Sequence, residues 1–210
     1  MNAAELNARI RESLAVLIDS ADELRELDQA LGDGDLGITI SAGSTAVIDA
    51  LEALPAETTP TEIARASAKA FANANPSTMA ALVAGALLAG SRVWADVSEI
   101  TIDDAQRFAD AAGTSISQRG KTQLGDKTIY DGLAAVADAL VGQVDAEVAV
   151  NAAVRAADDA VERTKGLQSR RGRASWLQER SIGKADPGAT ALLRFVESWR
   201  ATSPAAAGAD

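Results

Sequence analysis

The chain has 210 residues, enough for one domain or two small ones with a substantial core. Its formal net charge of −10 argues against nucleic acids and anionic membranes as partners, because both are bound by excess Lys and Arg. The absence of cysteine and histidine excludes disulfides, thiolate and imidazole metal ligands, and nucleophilic triads that depend on histidine. Catalysis by this chain would therefore depend on carboxylates, Lys, Arg, hydroxyl groups, backbone amides and hard metal ions.

The N-terminal residues, MNAAELNARIRESL, carry charges throughout, which is not typical of a signal peptide. Uncharged apolar runs such as residues 79–90 are too short to cross a bilayer. We expect a soluble cytoplasmic protein.

The composition favours helices over strands, because the chain is rich in alanine and only 3% aromatic. Apolar residues at three- and four-residue steps predict a long first helix over residues 6–31 that ends at Gly32. The next three helices are expected at 38–54, from Thr59 or Thr61 to 73, and at 78–93. Four more are expected at 101–118, 127–141, 146–165 and 190–200.

A hydroxyl residue followed three positions later by a carboxylate marks the start of the helix at Thr101. No convincing pair of strands is present in the pattern. The sequence therefore predicts one all-α domain over residues 1–200, with short connections and mostly antiparallel neighbours. Residues 201–210 are expected to form a disordered tail.

Three carboxylates and several glycines lie between the first two predicted helices. This acidic loop, residues 27–37, reads LDQALGDGDLG and contains Asp28, Asp33 and Asp35. Glycines let the backbone fold the carboxylates toward one point, and hard cations such as Mg²⁺ take oxygen ligands. Without a cation three like charges so close together would repel one another. The loop therefore indicates a metal site.

The acidic loop has two other possible interpretations. An EF-hand that starts at Asp33 would need glycine at Ile38 and glutamate at Ser44, so the loop is not an EF-hand. An ordinary turn rich in Asp and Gly remains an alternative.

A second candidate lies at residues 73–78, NANPST, which open the uncharged helix at 78–93. Free N–H groups at a helix N-terminus can bind phosphate. The alternative is an ordinary hydroxyl cap.

A third candidate is the pair RGKT and GDKT, at residues 119–122 and 125–128. A P-loop would need its first glycine at Ser115 and a preceding strand, so we reject that interpretation. We expect Asp126 to cap the following helix. Lys121 and Lys127 could face phosphates, or they could be solvated surface residues.

The fourth candidate is a basic segment, residues 169–188, in an acidic protein. It contains RRGRASWLQERSIG and ends in DPG before a helix. Guanidinium groups match phosphate oxygens and stabilise the charge that develops in phosphoryl transfer. A solvated charged loop is the alternative.

Together these motifs resemble a known family. The sequence GDGDLG after a helix, the Pro-Ser-Thr helix start, GDKT and the long motif GRASWLQERSIGKADPGATA resemble the nucleotide-binding L subunit of dihydroxyacetone kinases, the DhaL family. The same domain forms the C-terminal half of single-chain ATP-dependent kinases. The resemblance covers nearly the whole chain in order.

The resemblance implies an eight-helix antiparallel up-and-down barrel with ADP or ATP bound at one end. It assigns two Mg²⁺ ions to Asp28, Asp33 and Asp35, and a catalytic, phosphate-facing role to Arg173. It also implies that the nucleotide is contacted by Leu36, Gly37, Ile38, Thr39, Ser77, Thr78, Gly120, Ile129, Asp186, Pro187 and Gly188. Leu36 stands where the family usually has histidine.

The resemblance also implies a partner. In that family a histidine of a second, DhaK-type subunit holds the keto-sugar, dihydroxyacetone or a related triose or tetrulose. The phosphoryl donor is either free ATP or a bound ADP that a phosphotransferase-system protein recharges. Two alternatives stay open: a nucleotide-binding regulatory or interaction module, and a helical scaffold without ligand.

Overall fold

The computed structural model describes residues 1–203. This part of the chain contains nine α-helices and one 3₁₀ helix, and its only β pairing is an isolated bridge between Asn2 and Glu99. The helices are α1 (Ala3–Ile18), α2 (Ala21–Gln29), α3 (Leu36–Glu52), α4 (Pro60–Ala74), α5 (Thr78–Val93), α6 (Ile102–Gly120), α7 (Ile129–Leu140), α8 (Ala146–Lys165), the 3₁₀ helix (Arg173–Ser181) and α9 (Pro187–Ala201). Of the tail expected at 201–210, Ala201 ends α9 and residues 204–210 lie outside the described part.

Eight of the helices form a closed ring. From α3 to α9 each helix packs against the next one along the chain, and α9 packs against α1, which in turn contacts α3. This arrangement confirms the all-α class and the eight-helix barrel. The ninth helix, α2, stands outside the ring and contacts α3 and α9.

The single long helix expected over residues 6–31 is wrong. The chain turns at Asp19 and Ser20, so that α1 ends at Ile18 and α2 begins at Ala21. At about 1.5 Å per residue, a continuous helix would extend well beyond its 17-residue neighbour α3 and leave its second half exposed. The turn instead lets α2 fold back, where Leu24 is fully buried.

Reciprocal capping fixes the beginnings of several helices. Thr101 accepts a hydrogen bond from the backbone of Asp104, as the sequence predicts, and Thr59 rather than Thr61 caps α4 in the same way. The cap expected at Asp126 is wrong. Thr128 caps α7 instead, with Asp131 at the third helical position.

Small residues allow the ring helices to approach one another closely. A β-carbon at Gly43 would lie 2.3 Å from the ring of Phe71, and one at Gly90 would lie 2.4 Å from Phe108. The aromatic side chains fill the space that these glycines leave. None of the described helices is both long and apolar enough to cross a membrane.

Helices α2 and α3 approach each other very closely at Gly37. A β-carbon at Gly37 would lie 2.1 Å from the carbonyl oxygen of Ala21, and backbone atoms cannot move away as a flexible side chain can. Gly37→Ala should therefore push α2 off α3 and lower the free energy of unfolding by about 1–3 kcal/mol, the usual cost of overpacking. Thermal and denaturant unfolding measure this loss.

Gly113→Ala is the matched control. Gly113 also lies inside a helix, but its nearest atom to a new β-carbon is 3.4 Å away, in the ring of Tyr130. Alanine is favoured over glycine in a helix by up to about 1 kcal/mol, so this variant should be as stable as the natural protein or more so. Equal stability of the two variants would contradict the close approach at Gly37.

Candidate functional site

The acidic loop brings its three carboxylates together. Asp28 lies near the end of α2, Asp33 in the connection and Asp35 directly before α3. One carboxylate oxygen from each of the three lies within 4.8 Å of the others. Gly34 has a φ of +76°, a left-handed conformation that glycine adopts without steric cost.

The donor set of the loop fits a hard cation. Three carboxylates converge, and the backbone N–H of Leu36 donates to Asp28 Oδ2 at 3.3 Å, which orients that side chain. Burial raises the pKa of Asp35, and the negative charge of Asp28 adds to this rise through repulsion between the two carboxylates. Mg²⁺ prefers such oxygen ligands and would remove this repulsion.

One guanidinium group reaches the carboxylates from the basic segment. Arg173, the first residue of the 3₁₀ helix, forms an ion pair with Asp33, and its Nη1 lies 4.0 Å from Asp35 Oδ2. The structure thus places the predicted phosphate-facing arginine beside the predicted metal ligands, although many residues separate them in the sequence. A cation and an anion could both be held at this point.

Two helix N-termini lie beside each other near the carboxylates. Ser77 caps α5 and accepts from the backbone N–H of Ala80 at 3.0 Å. Thr39, in the first turn of α3, donates to Ser77 Oγ at 3.4 Å and accepts from Asn75 Nδ2 at 2.9 Å. This hydroxyl relay joins the N-termini of α3 and α5, and Thr78 is the first residue of α5. Helix N-termini attract anions, so these two N-termini could together hold an anionic group.

The four residues that follow Asp35 have different surroundings. Leu36 is only 4% exposed and belongs to the main hydrophobic core, and Thr39 is also buried. Gly37 packs against the backbone of Ala21. Ile38 is 60% exposed. Among the predicted phosphate contacts, the side chain of Leu36 therefore faces the core.

The turn before α9 meets the start of α7. Asp186 caps α9, accepting from the backbone N–H of Ala189 at 2.7 Å, and Pro187 is the first helical residue. A β-carbon at Gly188 would lie 3.2 Å from Ile129 Cβ, so two of the predicted nucleotide contacts are neighbours. Gly120, at the end of α6, lies closest to Leu82 and Thr122 rather than to the acidic loop.

Sequence reasoning missed the position of Lys127. This side chain is buried, and its ammonium group donates to two backbone carbonyl groups. It is therefore neither a surface residue nor a phosphate contact. Thr128 and Asp131 have the same spacing as the capping pair Thr101 and Asp104. That spacing could have identified Thr128, rather than Asp126, as the cap of α7.

The pH dependence of stability tests the environment of Asp186. Burial raises the pKa of this carboxyl to about 7, and the charge of Asp131 acts in the same direction. In the unfolded chain this carboxyl has its ordinary pKa of 3.8, so between about pH 4 and 7 the folded state binds a proton that the unfolded state has released. The contribution of Asp186 to the free energy of unfolding is therefore full below about pH 4 and is lost as the pH rises to about 7. Asp186→Asn keeps a capping oxygen but cannot ionise.

We expect Asp186→Asn to flatten the decline of stability over that pH range, relative to the natural protein, in chemical unfolding curves measured at several pH values. Asp49→Asn, an exposed position on α3, is the control and should leave the profile unchanged. A profile for Asp186→Asn that runs parallel to the natural one would show that Asp186 is ionised throughout.

Comparison with known proteins agrees with these features. The model of the DAK2 domain matches residues 30–201. The chain is 34% identical over 189 residues to an L-erythrulose 1-kinase of Mycolicibacterium smegmatis, which covers 87% of this chain and 33% of that protein. It is 31% identical over 182 residues to the ADP-binding subunit DhaL of a PEP-dependent dihydroxyacetone kinase of Escherichia coli, which covers 84% of this chain and 86% of that subunit.

Among solved structures, the dihydroxyacetone kinase from C. freundii in complex with AMP-PNP and Mg²⁺ has the same fold, with a TM-score of 0.78 at 20% identity. The match covers 97% of this chain and 34% of that one. The chain thus spans about one third of the length of the erythrulose kinase and of this solved kinase. With a domain model that matches most of its length and relatives above 30% identity, the chain belongs to the DAK2 domain family, in which DhaL-type subunits of dihydroxyacetone kinases are its relatives.

Proposed function

We propose that this chain is the ADP- or ATP-binding subunit of a dihydroxyacetone-type kinase. It would transfer a phosphoryl group from a Mg²⁺-bound nucleotide to a small keto-sugar held by a partner subunit. The observation that carries the proposal is the convergence of Asp28, Asp33 and Asp35 with Arg173. Three carboxylates and one guanidinium suit a site that must hold metal ions and phosphate groups together.

The metal part of the proposal assigns two Mg²⁺ ions to the three aspartates. Bound there, Mg²⁺ would neutralise phosphate charge and orient the transferred group. The carboxylates of this chain would hold the ions at one end of the barrel, between the start of α3 and the 3₁₀ helix. The related kinase from C. freundii was solved in complex with AMP-PNP and Mg²⁺, which is consistent with this assignment.

The protein groups around the phosphates act by position and charge. Arg173, which pairs with Asp33 in this structure, would turn to balance the charge that develops on the transferred group. The relay of Asn75, Thr39 and Ser77 supplies polar groups and helix N-termini for the remaining phosphate oxygens. Phosphoryl transfer needs little covalent help from the protein, so no general base is required from this chain.

The partner and the substrate belong to the same proposal. Relatives are named as kinases of dihydroxyacetone and of erythrulose, and as triokinases. We infer that a DhaK-type subunit holds the keto-sugar through a histidine, which this chain cannot supply because it has none. The cytoplasmic location expected from the sequence is part of this proposal.

The phosphoryl donor can be identified by the exchange of bound nucleotide. Relatives described as PEP-dependent or PTS-dependent carry an ADP-binding subunit. Slow exchange of ADP with free ATP would indicate a held cofactor that a phosphotransferase-system protein recharges, and fast exchange would indicate ATP as a substrate.

The proposal predicts that Asp33→Ala abolishes Mg²⁺-dependent binding of ADP, because one of three converging ligands is lost. Isothermal calorimetry in Mg²⁺ buffer, with and without EDTA, measures this effect. Asp49→Ala, on the exposed side of α3, should bind ADP as the natural protein does. Unchanged ADP affinity in Asp33→Ala would show that the acidic loop does not hold the metal.

A second candidate function is a nucleotide-binding regulatory or interaction module without kinase activity. It is favoured by Leu36, which puts a buried apolar side chain where the family usually has histidine. Purification of the natural complex separates the two candidates. A histidine-bearing, sugar-binding partner supports the kinase, and a transcription factor supports the regulator.

The substitution Leu36→His tests the importance of that difference. Because a polar ring is costly to bury, we expect the imidazole to turn out of the core and donate a hydrogen bond to phosphate, which should raise the rate of phosphoryl transfer or the affinity for nucleotide. The same change should lower the melting temperature, since Leu36 packs in the main core. Leu36→Met, which keeps the apolar contact, is the control for packing. A gain in neither rate nor affinity would mean that another group supplies the role of the histidine.

A further inference from the structure

Lys127 has an unusual combination of backbone and side-chain surroundings. Its φ is +63°, in the left-handed region that residues other than glycine seldom adopt, and only 2% of its surface is exposed. Such backbone strain costs on the order of 1 kcal/mol or more and persists where the surroundings require it. Gly125, two residues earlier, shows that the chain places glycine at a left-handed position nearby. The contacts of the Lys127 side chain therefore hold the residue in a backbone conformation that glycine would adopt without strain.

The ammonium group of Lys127 joins two distant parts of the chain. It donates to the carbonyl oxygen of Ser181 at 2.7 Å and to that of Leu167 at 3.1 Å. Leu167 follows α8, and Ser181 ends the 3₁₀ helix, so the two carbonyl groups stand at the two ends of the segment that contains Arg173. The Lys127 ammonium thus links the two ends of this segment, and a backbone hydrogen bond from the N–H of Gly183 to the carbonyl of Lys165, at 2.7 Å, closes the same loop just outside it.

The burial of this cation is compensated by those carbonyl groups rather than by an ion pair. No salt bridge to Lys127 is formed within residues 1–203. Burial lowers the pKa of Lys127, and the negative charge of Asp186 acts in the opposite direction. An ammonium group that is engaged in this way cannot also reach a nucleotide phosphate.

Asp126 holds the same segment at a second point. Its carboxylate is buried and accepts from Arg171 Nε at 2.7 Å, and its backbone carbonyl accepts from the N–H of Arg170 at 3.0 Å. These contacts fix the two residues that stand just before Gly172 and Arg173. A third contact, from the N–H of Ser169 to Ser181 Oγ at 2.9 Å, ties the segment to itself.

The remaining parts of the segment offer little that would order it alone. Gly172 has a φ of +60° with no atom within 4 Å of an added β-carbon, and Gln178 interrupts the 3₁₀ helix with a φ of +50°. A free loop of this kind loses conformational entropy for every residue that is fixed. The contacts to Asp126 and Lys127 therefore add to the bond that closes the loop, and they fix the part of the segment that presents the Arg173 guanidinium to the acidic loop.

We propose that Lys127 is a positioning residue for Arg173: its ammonium group, together with Asp126, locks the segment 167–181 so that the guanidinium faces the acidic loop. The locking follows from the contacts alone. Its consequence for nucleotide binding rests on the function proposed above. The role is indirect, since Lys127 touches neither the carboxylates nor the arginine.

Hydrogen exchange measured by mass spectrometry tests the lock. Lys127→Met keeps a long apolar stem and removes both hydrogen bonds. Peptides from 167–181 should exchange roughly tenfold faster or more, because the loss of two hydrogen bonds to a charged group makes local opening of the segment easier. The ring helices α3 to α6 should keep their protection. Unchanged exchange in 167–181, or an equal increase in all helices, would overturn the proposal.

Lys121→Met is the matched control. Lys121 also has a left-handed backbone, with a φ of +49°, and the same charge is removed, but its side chain is exposed and forms no hydrogen bond or ion pair with the described residues. It should leave exchange in 167–181 as it is. If Lys127→Met does not fold, Lys127→Gly removes the ammonium group while suiting the left-handed backbone, and it should give the same local increase.

A double variant tests the link to Arg173. If Lys127 acts through the arginine, Lys127→Met should weaken Mg²⁺–ADP binding in the natural background and add nothing in the Arg173→Ala background. Additive losses would overturn the positioning role. If the natural protein binds no ADP, the proposed function fails while the exchange result still decides the lock, so the two failures are distinguishable.

Discussion

Helix α2 lies against the first turn of α3 so closely that the carbonyl oxygen of Ala21 occupies the space of a β-carbon at residue 37. This contact depends on the turn at Asp19 and Ser20, which takes α2 out of the ring. Because α2 ends at the acidic loop and α3 begins there, the distance between the two helices sets how tightly the loop must fold. Convergence of the three carboxylates is thus a consequence of backbone packing.

The same end of the barrel gathers charges of both signs. An overall acidic chain places a guanidinium, Arg173, directly on two of its carboxylates, and it buries one lysine, Lys127, behind the segment that bears that arginine. The Arg173 guanidinium offsets part of the repulsion among the carboxylates, although solvent screens the pair because both side chains are about half exposed. The two basic groups are held differently. Arg173 is half-exposed and pairs with the acidic loop, whereas the Lys127 ammonium is buried against carbonyl groups after α8 and at the end of the 3₁₀ helix.

Much of this structure could be predicted from the sequence, because helical periodicity and capping spacings are local signals. Thr101 and its carboxylate partner gave the correct start of α6, and the all-α class followed from the lack of alternating strands. The turn after Ile18 could not be predicted, since the apolar period continues across it into Leu24 and only packing on α3 and α9 decides the break. The roles of Asp126 and Lys127 depend on carbonyl groups and a guanidinium forty or more positions away, which no local pattern shows.

For the candidate site, the motif resemblance predicted the residues, and the geometry showed which of the predicted residues meet. Arg173 forms an ion pair with Asp33, and Ile129 lies next to Gly188. The sequence alone did not show that the side chain of Leu36 belongs to the core. Position in a motif specifies where the backbone runs, whereas the direction of a side chain follows from its neighbours.

The hydroxyl relay that joins α3 to α5 also fixes which of its hydroxyl groups donates and which accepts. A hydroxyl group carries one proton to donate. Thr39 gives its proton to Ser77 Oγ, and one lone pair of its own oxygen accepts from the amide of Asn75. Ser77 Oγ receives from Thr39 and from the backbone of Ala80, so its lone pairs are taken and its own proton is left over. The hydrogen bonds thus all run in one direction, from the Asn75 amide to the Thr39 hydroxyl and from that hydroxyl to Ser77 Oγ. The free O–H donor is that of Ser77. A ligand that meets this serine must bring an acceptor.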